Sequence, residues 1–423
     1  MVHPLQDVAI VGAGLGGCAL ALALSQHNIP LSIYESRPPK SETIASGVIL
    51  TPDGLQILDR LGVLSRIRNR CYVTTHRVFK NGEDETIRKA LISGESLYGY
   101  SNHRVWRSVL QDEMKELLAE RGVHVQYDSK FQGIVSDSKE GLEFRINDRT
   151  VRASLLVGVD GIYSSVRKYL APDIGLQYTG TVGVISHIKR ASVAWPYDDY
   201  ELNATIQDKP GAIFFIAEDP KGEEIMIGMQ KQSPEYSRDD LETLQQDKDK
   251  LRYNDWGPTA RSIIDQVTKN KESCFIWPFL KVPTLPKWYS GTGRVILCGD
   301  GAHGLPPSSG QGINQCLEDV YSLTLLLKSV GSIGKRENSA EQPRVELLEA
   351  LEYWQDMRQS RVDAVFDWAT NSTNVQRMSE EERKKLLSDG KIKENGAAQG
   401  DDMSWLYRPS LENDVKAWIA SHS

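Results

Sequence analysis

The sequence predicts an α/β protein: a dinucleotide-binding domain at the start, an antiparallel β-sheet domain inserted into it, and a helical C-terminal region. Three observations carry that expectation. A glycine-rich turn between a strand and a helix opens the chain, a β-rich stretch occupies its middle, and a second strand, acid and glycine loop return near residue 300. The expected boundaries are 1–177 for the first part of the binding domain, 178–285 for the inserted sheet, 286–330 for the return segment and 331–423 for the helical region.

Val8, Ile10 and Val11 read as a strand that runs into Gly12-x-Gly14-x-x-Gly17. An apolar helical run to Ser25 follows, and a second strand from Leu31 ends in Glu35. Gly12 permits the tight turn, Gly14 lets the backbone approach a pyrophosphate, and Gly17 lets the helix pack closely on the strand. The helix N-terminus offers free N–H groups and a positive dipole to the phosphates, while Glu35 is placed to accept hydrogen bonds from a ribose. Glycine turns of this kind are common in purely structural roles. The strand before it, the helix after it and the acid about 20 residues on mark a Rossmann-type site.

A polar loop containing Arg37 comes next, then Gly47-Val48 and an amphipathic helix from Leu55 to Gly62, with Pro52 in its first turn. Strand patterns cover Val73 to Phe79 and Tyr98 to Tyr100. The segment from Arg104 through Arg107 to Leu110 reads as the start of a helix, because Leu110, Met114, Leu117 and Leu118 recur at helical spacing. Two arginines at a helix N-terminus oppose the macrodipole, so an anion such as a pyrophosphate would account for one of them, the other being a solvated surface residue. Strands at Val123 to Tyr127, Leu142 to Ile146 and Val151 to Ala153 lead to a buried run, Leu155 to Gly158, that ends in Asp160 and Gly161. Ligands of open α/β sheets sit at the carboxyl ends of strands, which puts Asp160 at a cofactor.

Residues 178 to 278 turn β-rich, with strands at Val182 to Ile188, Glu201 to Ile206, Ala212 to Ala217, Ile225 to Gln230 and Cys274 to Pro278 and a polar helix between. A sheet laid across a dinucleotide domain creates an interdomain cleft, a common place for a small-molecule site. The apolar strand at Arg294 to Cys298 then repeats the early layout: Asp300 at its end, a loop through Gly310 and Gly312, and Ile313 and Asn314 opening a helix to Lys328. Asp300 can bond a ribitol or ribose hydroxyl, and the backbone N–H groups of this loop can face an electron-rich ring. His303 has no acid beside it in sequence and reads as a structural or positioning residue. A polar loop at 331–343, a long helix from Val345 to Trp368, a charged solvated segment at 379–402 and a segment from Trp405 to Trp418 that folds back on the body complete the chain.

Composition narrows the function. The chain has 423 residues, 40% hydrophobic and 25% charged, and a net charge of −7 with no basic stripe, which argues against nucleic acid. Five cysteines without C-x-x-C spacing suggest neither a disulfide framework nor a zinc site, and no metal ligand set stands out. The longest apolar runs fall far short of the ~20 residues of a membrane span. A strand so close to Met1 leaves no room for a signal peptide, so a cytoplasmic monomer or homodimer is expected.

Three ordered motifs, G12-x-G-x-x-G17 with Glu35, D160-G-x-x-S-x-x-R167 and G299-D-x-A-H-x-x-P-P-x-x-G-Q-G-x-N314, resemble those of the single-component flavin monooxygenases of the para-hydroxybenzoate and salicylate hydroxylase type, in particular their fungal secondary-metabolism branch. Gly47-Val48 and Arg107 also match flavin-contacting positions of that family. Gly301 stands where the family usually has Ala and Asp53 where it often has Asn. The resemblance implies non-covalent FAD, reduced by NADPH or NADH, and a flavin C4a-hydroperoxide that hydroxylates or epoxidises an electron-rich small molecule with one atom of O₂. The single glycine fingerprint suits that family and not the disulfide reductases, and the W-x-W-x-I-P segment of the related halogenases is missing. Two other readings are a flavin oxidase or reductase without oxygen transfer and a catalytically degenerate FAD-binding module.

The resemblance places the substrate between the inserted sheet and the loop at Pro306 to Gly312. His187 and Arg190 are the catalytic candidates. Along one strand His187 and Lys189 would share one face, Ile188 and Arg190 the other, so only one pair can look into the cleft. His187 could take a phenolic proton near neutral pH, and Arg190 could hold a phenolate or carboxylate. Tyr200 and Tyr289 are further candidates.

Overall fold

Four apolar residues, Val8–Val11, are buried along their whole length because they form the middle strand of a parallel sheet covered on both faces. The computed structural model describes residues 7–39, 46–138, 140–209, 211–235, 253–333, 342–377, 388 and 402–422. Its five-stranded parallel sheet has the order Val295–Leu297, Leu155–Gly158, Val8–Val11, Leu31–Tyr34, Val125–Gln126. Helix Leu15–Gln26 is buried from Leu15 to Leu24 and packs against helices Arg107–Glu120 and Gly312–Ile333. That strand order brings the carboxyl ends before Gly12, Asp160 and Asp300 side by side, where the topology of such sheets puts a ligand.

The second layer is a seven-stranded sheet ordered Cys274–Lys281, Gln177–Lys189, Glu224–Gln232, Gly211–Ala217, Asn203–Asp208, His76–Lys80, Thr86–Leu91. It is antiparallel apart from the pairing of Asn203–Asp208 with His76–Lys80. Its last two strands come from ahead of the expected 178–285 segment. One face buries Ile188, Ile206, Ile213, Phe215 and Ile227 under Ala260, Ile263 and Ile264 of helix Pro258–Lys269. The opposite face looks toward a three-stranded sheet, Gly47–Leu50, Asn102–Trp106 and Tyr72–Thr74, and a cleft lies between them.

Several local expectations change. The run Val73 to Phe79 is two strands broken at Thr75, since Tyr72–Thr74 pairs in the small sheet and His76–Lys80 in the large one. Tyr98 ends a short helix, Glu95–Tyr98, closed by Gly99 at φ +84°. Arg104 belongs to strand Asn102–Trp106, and only Arg107 starts the helix. Helix Pro52–Leu61 stops where Gly62 takes φ +83°, a left-handed conformation that glycine adopts without steric cost.

Leu406 and Tyr407 of the C-terminal segment are buried against the body, and Arg361 donates to the carbonyls of Trp405 and Leu406 at 2.6 Å each. Most of the polar loop expected at 331–343 and of the solvated segment expected at 379–402 lies outside the described residues.

Candidate active site

The first cavity, about 360 Å³, runs along the carboxyl edge of the parallel sheet. Gly12, Gly14, Glu35, Arg37, Arg107 and Asp160 line it. Gly12 sits at φ +102°, and a Cβ there would stand 2.5 Å from the Val159 carbonyl oxygen. Gly17 supports the turn from behind, where a Cβ would meet the Gly12 carbonyl oxygen at 1.8 Å. Glu35 accepts hydrogen bonds from the N–H of Ala13 and of Arg37, each at 3.0 Å. Burial raises its pKa, but these bonds and the Arg37 charge outweigh burial and hold the carboxylate below its usual range.

Two groups in this cavity lack partners. Asp160 accepts from the N–H groups of Ser165 and Val166 through Oδ2, while its buried Oδ1 has no partner. Arg107 is solvent-exposed at the cavity, and the protein around its guanidinium lowers its pKa against the opposing charge of Asp300. Among the described residues no carboxylate forms an ion pair with it. A cation and an acceptor left open at a glycine turn fit a ligand with phosphates and hydroxyls, which is what FAD presents.

The return loop continues the site. Asp300 is solvent-exposed at the strand end, yet the protein packed around its carboxyl raises the pKa despite His303 and Arg107 nearby. A Cβ on Gly312 would lie 3.6 Å from Asp300 Oδ1, so loop backbone and acid are close neighbours. Gly310 closes its turn at φ +62°, and Ile313 is half-buried at the helix start. Asn314 stitches this loop to Gly47–Leu50: it accepts from Thr51 N–H and donates to the carbonyls of Ile49 and Gly310, all at 3.2 Å. Asp300→Ala is therefore expected to weaken FAD retention by about tenfold to a hundredfold. Flavin absorbance of the protein after gel filtration measures this, and full retention would count against the assignment.

His303 proves to have an acid after all. Asp319, about two turns into the following helix, receives its Nε2 at 2.6 Å and the Gly299 N–H at 2.8 Å. Arg358 completes the cluster on Asp319 Oδ1 at 2.8 Å and on Glu318. This knot fixes the turn that carries Asp300.

Asp53 is the family departure with the clearest physical consequence. Thr51 donates to its Oδ1 at 2.6 Å, and its buried Oδ2 has no partner. Burial first, then the charge of Glu318, pushes the carboxyl from 3.8 up to about 7. The folded chain thus holds this proton more tightly than the unfolded chain. Its stabilisation is fully present below 3.8 and is lost as the pH rises through about 7. Asp53→Asn should flatten this dependence and make the protein more stable above neutrality by on the order of a few kcal/mol, read from thermal unfolding across pH. By contrast Gly301 has room for the usual Ala only at close quarters, with Leu297 at 3.3 Å from a Cβ.

In the cleft between the two sheets His187 lies on the open face and Ile188 in the covered core. His187 is buried, with its ring 4.9 Å from that of Trp106 and its Nε2 3.1 Å from Glu218 Oε1. Glu218 also accepts from Arg104, Nε to Oε2 at 2.8 Å and Nη2 to Oε1 at 2.6 Å. Burial raises the Glu218 carboxyl, but Arg104 and His187 bring it below its usual range. Arg104 is thus a buried, paired cation and not the expected surface residue. This cluster touches the cofactor side of the cleft at Gly47, where a Cβ would stand 1.8 Å from Glu218 Oε2. Val48 is the next residue of that strand.

Arg190 is not on the strand. It begins a turn beyond Lys189 and donates to the Asp198 carbonyl, away from the His187 cluster. Tyr200 packs with Phe215 on the covered side of the sheet and bonds Asp84, and Tyr289 pairs with Ile296 at the edge of the parallel sheet. Neither lines the cleft cavity, and His187 is joined to its lining only through Glu218 and Arg104.

A dinucleotide-type cavity lined by an arginine without an ion-pair partner among the described residues thus lies beside a cleft between two sheets. A family profile described as FAD binding domain matches residues 6–339, so the chain belongs to that family. It is 25% identical over 384 residues to FAD-dependent monooxygenase OpS4 of Beauveria bassiana, covering 86% of this chain and 83% of the relative. It is 28% identical over 357 residues to 6-methylsalicylate 1-monooxygenase atA of Aspergillus terreus, covering 78% and 76%. The fold matches that of Klebsiella pneumoniae HpxO complexed with FAD and uric acid, with a TM-score of 0.73 at 18% identity over 98% of this chain and 96% of that one. The chain is an FAD-dependent monooxygenase, for which NAD(P)H is the usual reductant. Among the described residues no helix is long and apolar enough to cross a membrane.

Proposed function

We propose that this monooxygenase hydroxylates or epoxidises a planar, electron-rich small metabolite, and that His187 removes a phenolic proton from it. One observation carries the reading: His187 bonds Glu218 through Nε2 while its buried Nδ1 has no partner. If Nε2–H donates to the carboxylate, Nδ1 presents a lone pair to whatever occupies the cleft. A substrate hydroxyl satisfies that nitrogen. The O–H bond breaks, an N–H bond forms at Nδ1, and the resulting imidazolium stays paired with Glu218. Because Arg104 already neutralises Glu218, the cluster is uncharged before the transfer and carries one positive charge after it, facing the new phenolate. Ionising the phenol raises electron density on the ring that receives oxygen.

Gly12, Gly14, Glu35, Arg37, Arg107, Asp160 and Asp300 would hold FAD, which would supply the passage of electrons from NADH or NADPH to O₂. The walls of the cleft keep water from the reacting atoms. Support for a planar substrate comes from the relatives, whose names include 6-methylsalicylate, and from HpxO, which is complexed with uric acid. We also place the protein in the cytoplasm as a monomer or homodimer; its five unpaired cysteines suit a reducing compartment. The test is NAD(P)H consumption with a panel of phenols and mass spectrometry of the products. A product heavier by one oxygen atom supports the reading. Oxidised product without added oxygen points to an oxidase, and a flavin that NAD(P)H cannot reduce points to a binding module.

A further inference from the structure

Among the described residues the buried acceptors Asp160 Oδ1 and His187 Nδ1 lack partners, and the cofactor and the substrate account for them. Asp53 Oδ2 and Gln311 Oε1 are two more, and neither residue lines the two cavities described above. They belong to one chain of bonds. Gln311 donates through Nε2 to Thr51 Oγ1 at 3.2 Å, and the Thr51 hydroxyl donates onward to Asp53 Oδ1 at 2.6 Å. The Thr51 N–H donates to Asn314 Oδ1 at 3.2 Å. Thr51 therefore grips both flanks of Gly312-Ile313, the backbone that opens helix Gly312–Ile333 beside Asp300. Asp53, Thr51, Gln311 and Asn314 are all buried.

The groups that face Asp53 give it no counter-ion. Glu318 comes from helix Gly312–Ile333, Arg361 from helix Gln342–Arg377 and Tyr407 from the C-terminal segment. Arg361 directs its Nε and Nη2 to Glu318, at 2.5 and 2.6 Å, and bonds the carbonyls of Trp405 and Leu406. Among the described residues no cation bonds Asp53. A buried carboxylate with a bare oxygen and no cation is costly, whereas the neutral acid needs only the Thr51 bond at Oδ1 and keeps a proton on Oδ2. Asparagine, frequent at this position in the family, is the neutral counterpart: it offers Thr51 the same acceptor and carries an N–H where the acid carries its O–H. Asp53 reproduces that pattern only while it is protonated.

We propose that Asp53 is a positioning residue for the flavin loop: as the neutral acid it holds Thr51, and through Thr51 the Gln311–Asn314 backbone, so that loss of its proton loosens bound FAD. On ionisation the O–H bond at Oδ2 breaks and the proton passes to water. The carboxylate left behind faces Glu318 with no cation bonded to it and one oxygen without a donor. Thr51 and the loop must then shift to admit a donor, which disturbs the Gly312-Ile313 backbone.

The experiment follows flavin absorbance and the FAD dissociation constant of the FAD-loaded protein, without substrate, from about pH 5.5 to about pH 8.5, a window that spans this acid's proton loss. In the parent protein the flavin spectrum should change in a single one-proton transition centred near 7, and FAD should bind about tenfold more weakly at the alkaline end. Asp53→Asn should keep the tight binding of the acid end across the whole window and show no such transition. A side chain that merely filled space would change affinity equally at every pH. Thr51→Val cuts the link between acid and loop, so it should bind FAD more weakly at the acid end and lose the pH dependence; it decides the matter if Asp53→Asn does not fold. A parent without the transition overturns the proposal, and so does either variant that keeps it. No substrate or oxygen transfer enters the measurement, so its failure would leave the reading of His187 and the cleft standing, and the failure of that reading would leave this one.

Discussion

His187→Gln is expected to lower product formation by about 10²-fold to 10⁴-fold, the range for loss of a general base, with FAD content unchanged. Glutamine keeps much of the side chain's volume and can donate to Glu218, so the Glu218–Arg104 pair stays intact. What disappears is the acceptor at Nδ1. Flavin reduction by NAD(P)H and product formation should be followed separately. A base acting on the substrate alters the second, and a merely structural residue would lower both along with flavin content. The pH dependence of turnover should also change, because the free phenol must then ionise unaided. A variant that matches the parent in rate and pH profile would remove His187 from the mechanism.

Arg358→Met is expected to destabilise the folded protein by about 3–5 kcal/mol, the penalty for breaking a buried ion pair from one side. Arg358, Glu318 and Asp319 are all fully buried. Methionine fills much of the space but leaves two carboxylates with fewer counter-charges. Burial raises Asp319, and it stays below its usual range only because His303 and Arg358 face it. Removing the guanidinium therefore moves a proton onto the cluster and loosens the Gly299 turn that Asp319 holds. FAD retention should fall together with stability. Arg358→Lys should recover little, since a single ammonium cannot replace bonds to Asp319, Glu318 and Gln315 at once. Chemical denaturation of the FAD-loaded protein checks this, and a change under about 1 kcal/mol, a surface-pair value, would show that the knot is not structural.

The parts of the site that were legible in the sequence are those built from neighbours in the chain. Gly12, Gly14, Gly17 and Glu35 form one βαβ unit, and the strand, acid and glycine loop around Asp300 repeat its logic within a few residues. Hydrophobic runs such as Val8–Val11 and Leu155–Gly158 announced a buried parallel sheet. What stayed hidden depends on long-range pairing. Arg104 and Glu218 are 114 residues apart, so neither the salt bridge nor its contact with His187 could be read from spacing. His76–Lys80 falls in an apparently continuous strand, and the break at Thr75 that sends it to the other sheet has no glycine or proline to mark it. An available signal was Glu218 itself, the first of two acids that end the apolar run Gly211–Ala217. Such a charge at the end of a buried strand asks for a cation, and Arg104 sits inside a strand just before Val105 and Trp106. His303 and Asp319 are 16 residues apart, too far for a pattern and near enough for a helix to deliver.

The central claim is oxygen transfer to an ionised aromatic substrate. Turnover of FAD-loaded protein with NAD(P)H, a phenol and isotopically labelled O₂, read by mass spectrometry, tests it most directly. One labelled oxygen atom per product molecule is the predicted result. Reduced O₂ with oxidised but unlabelled product, from a protein that binds the phenol and accepts electrons, would contradict it.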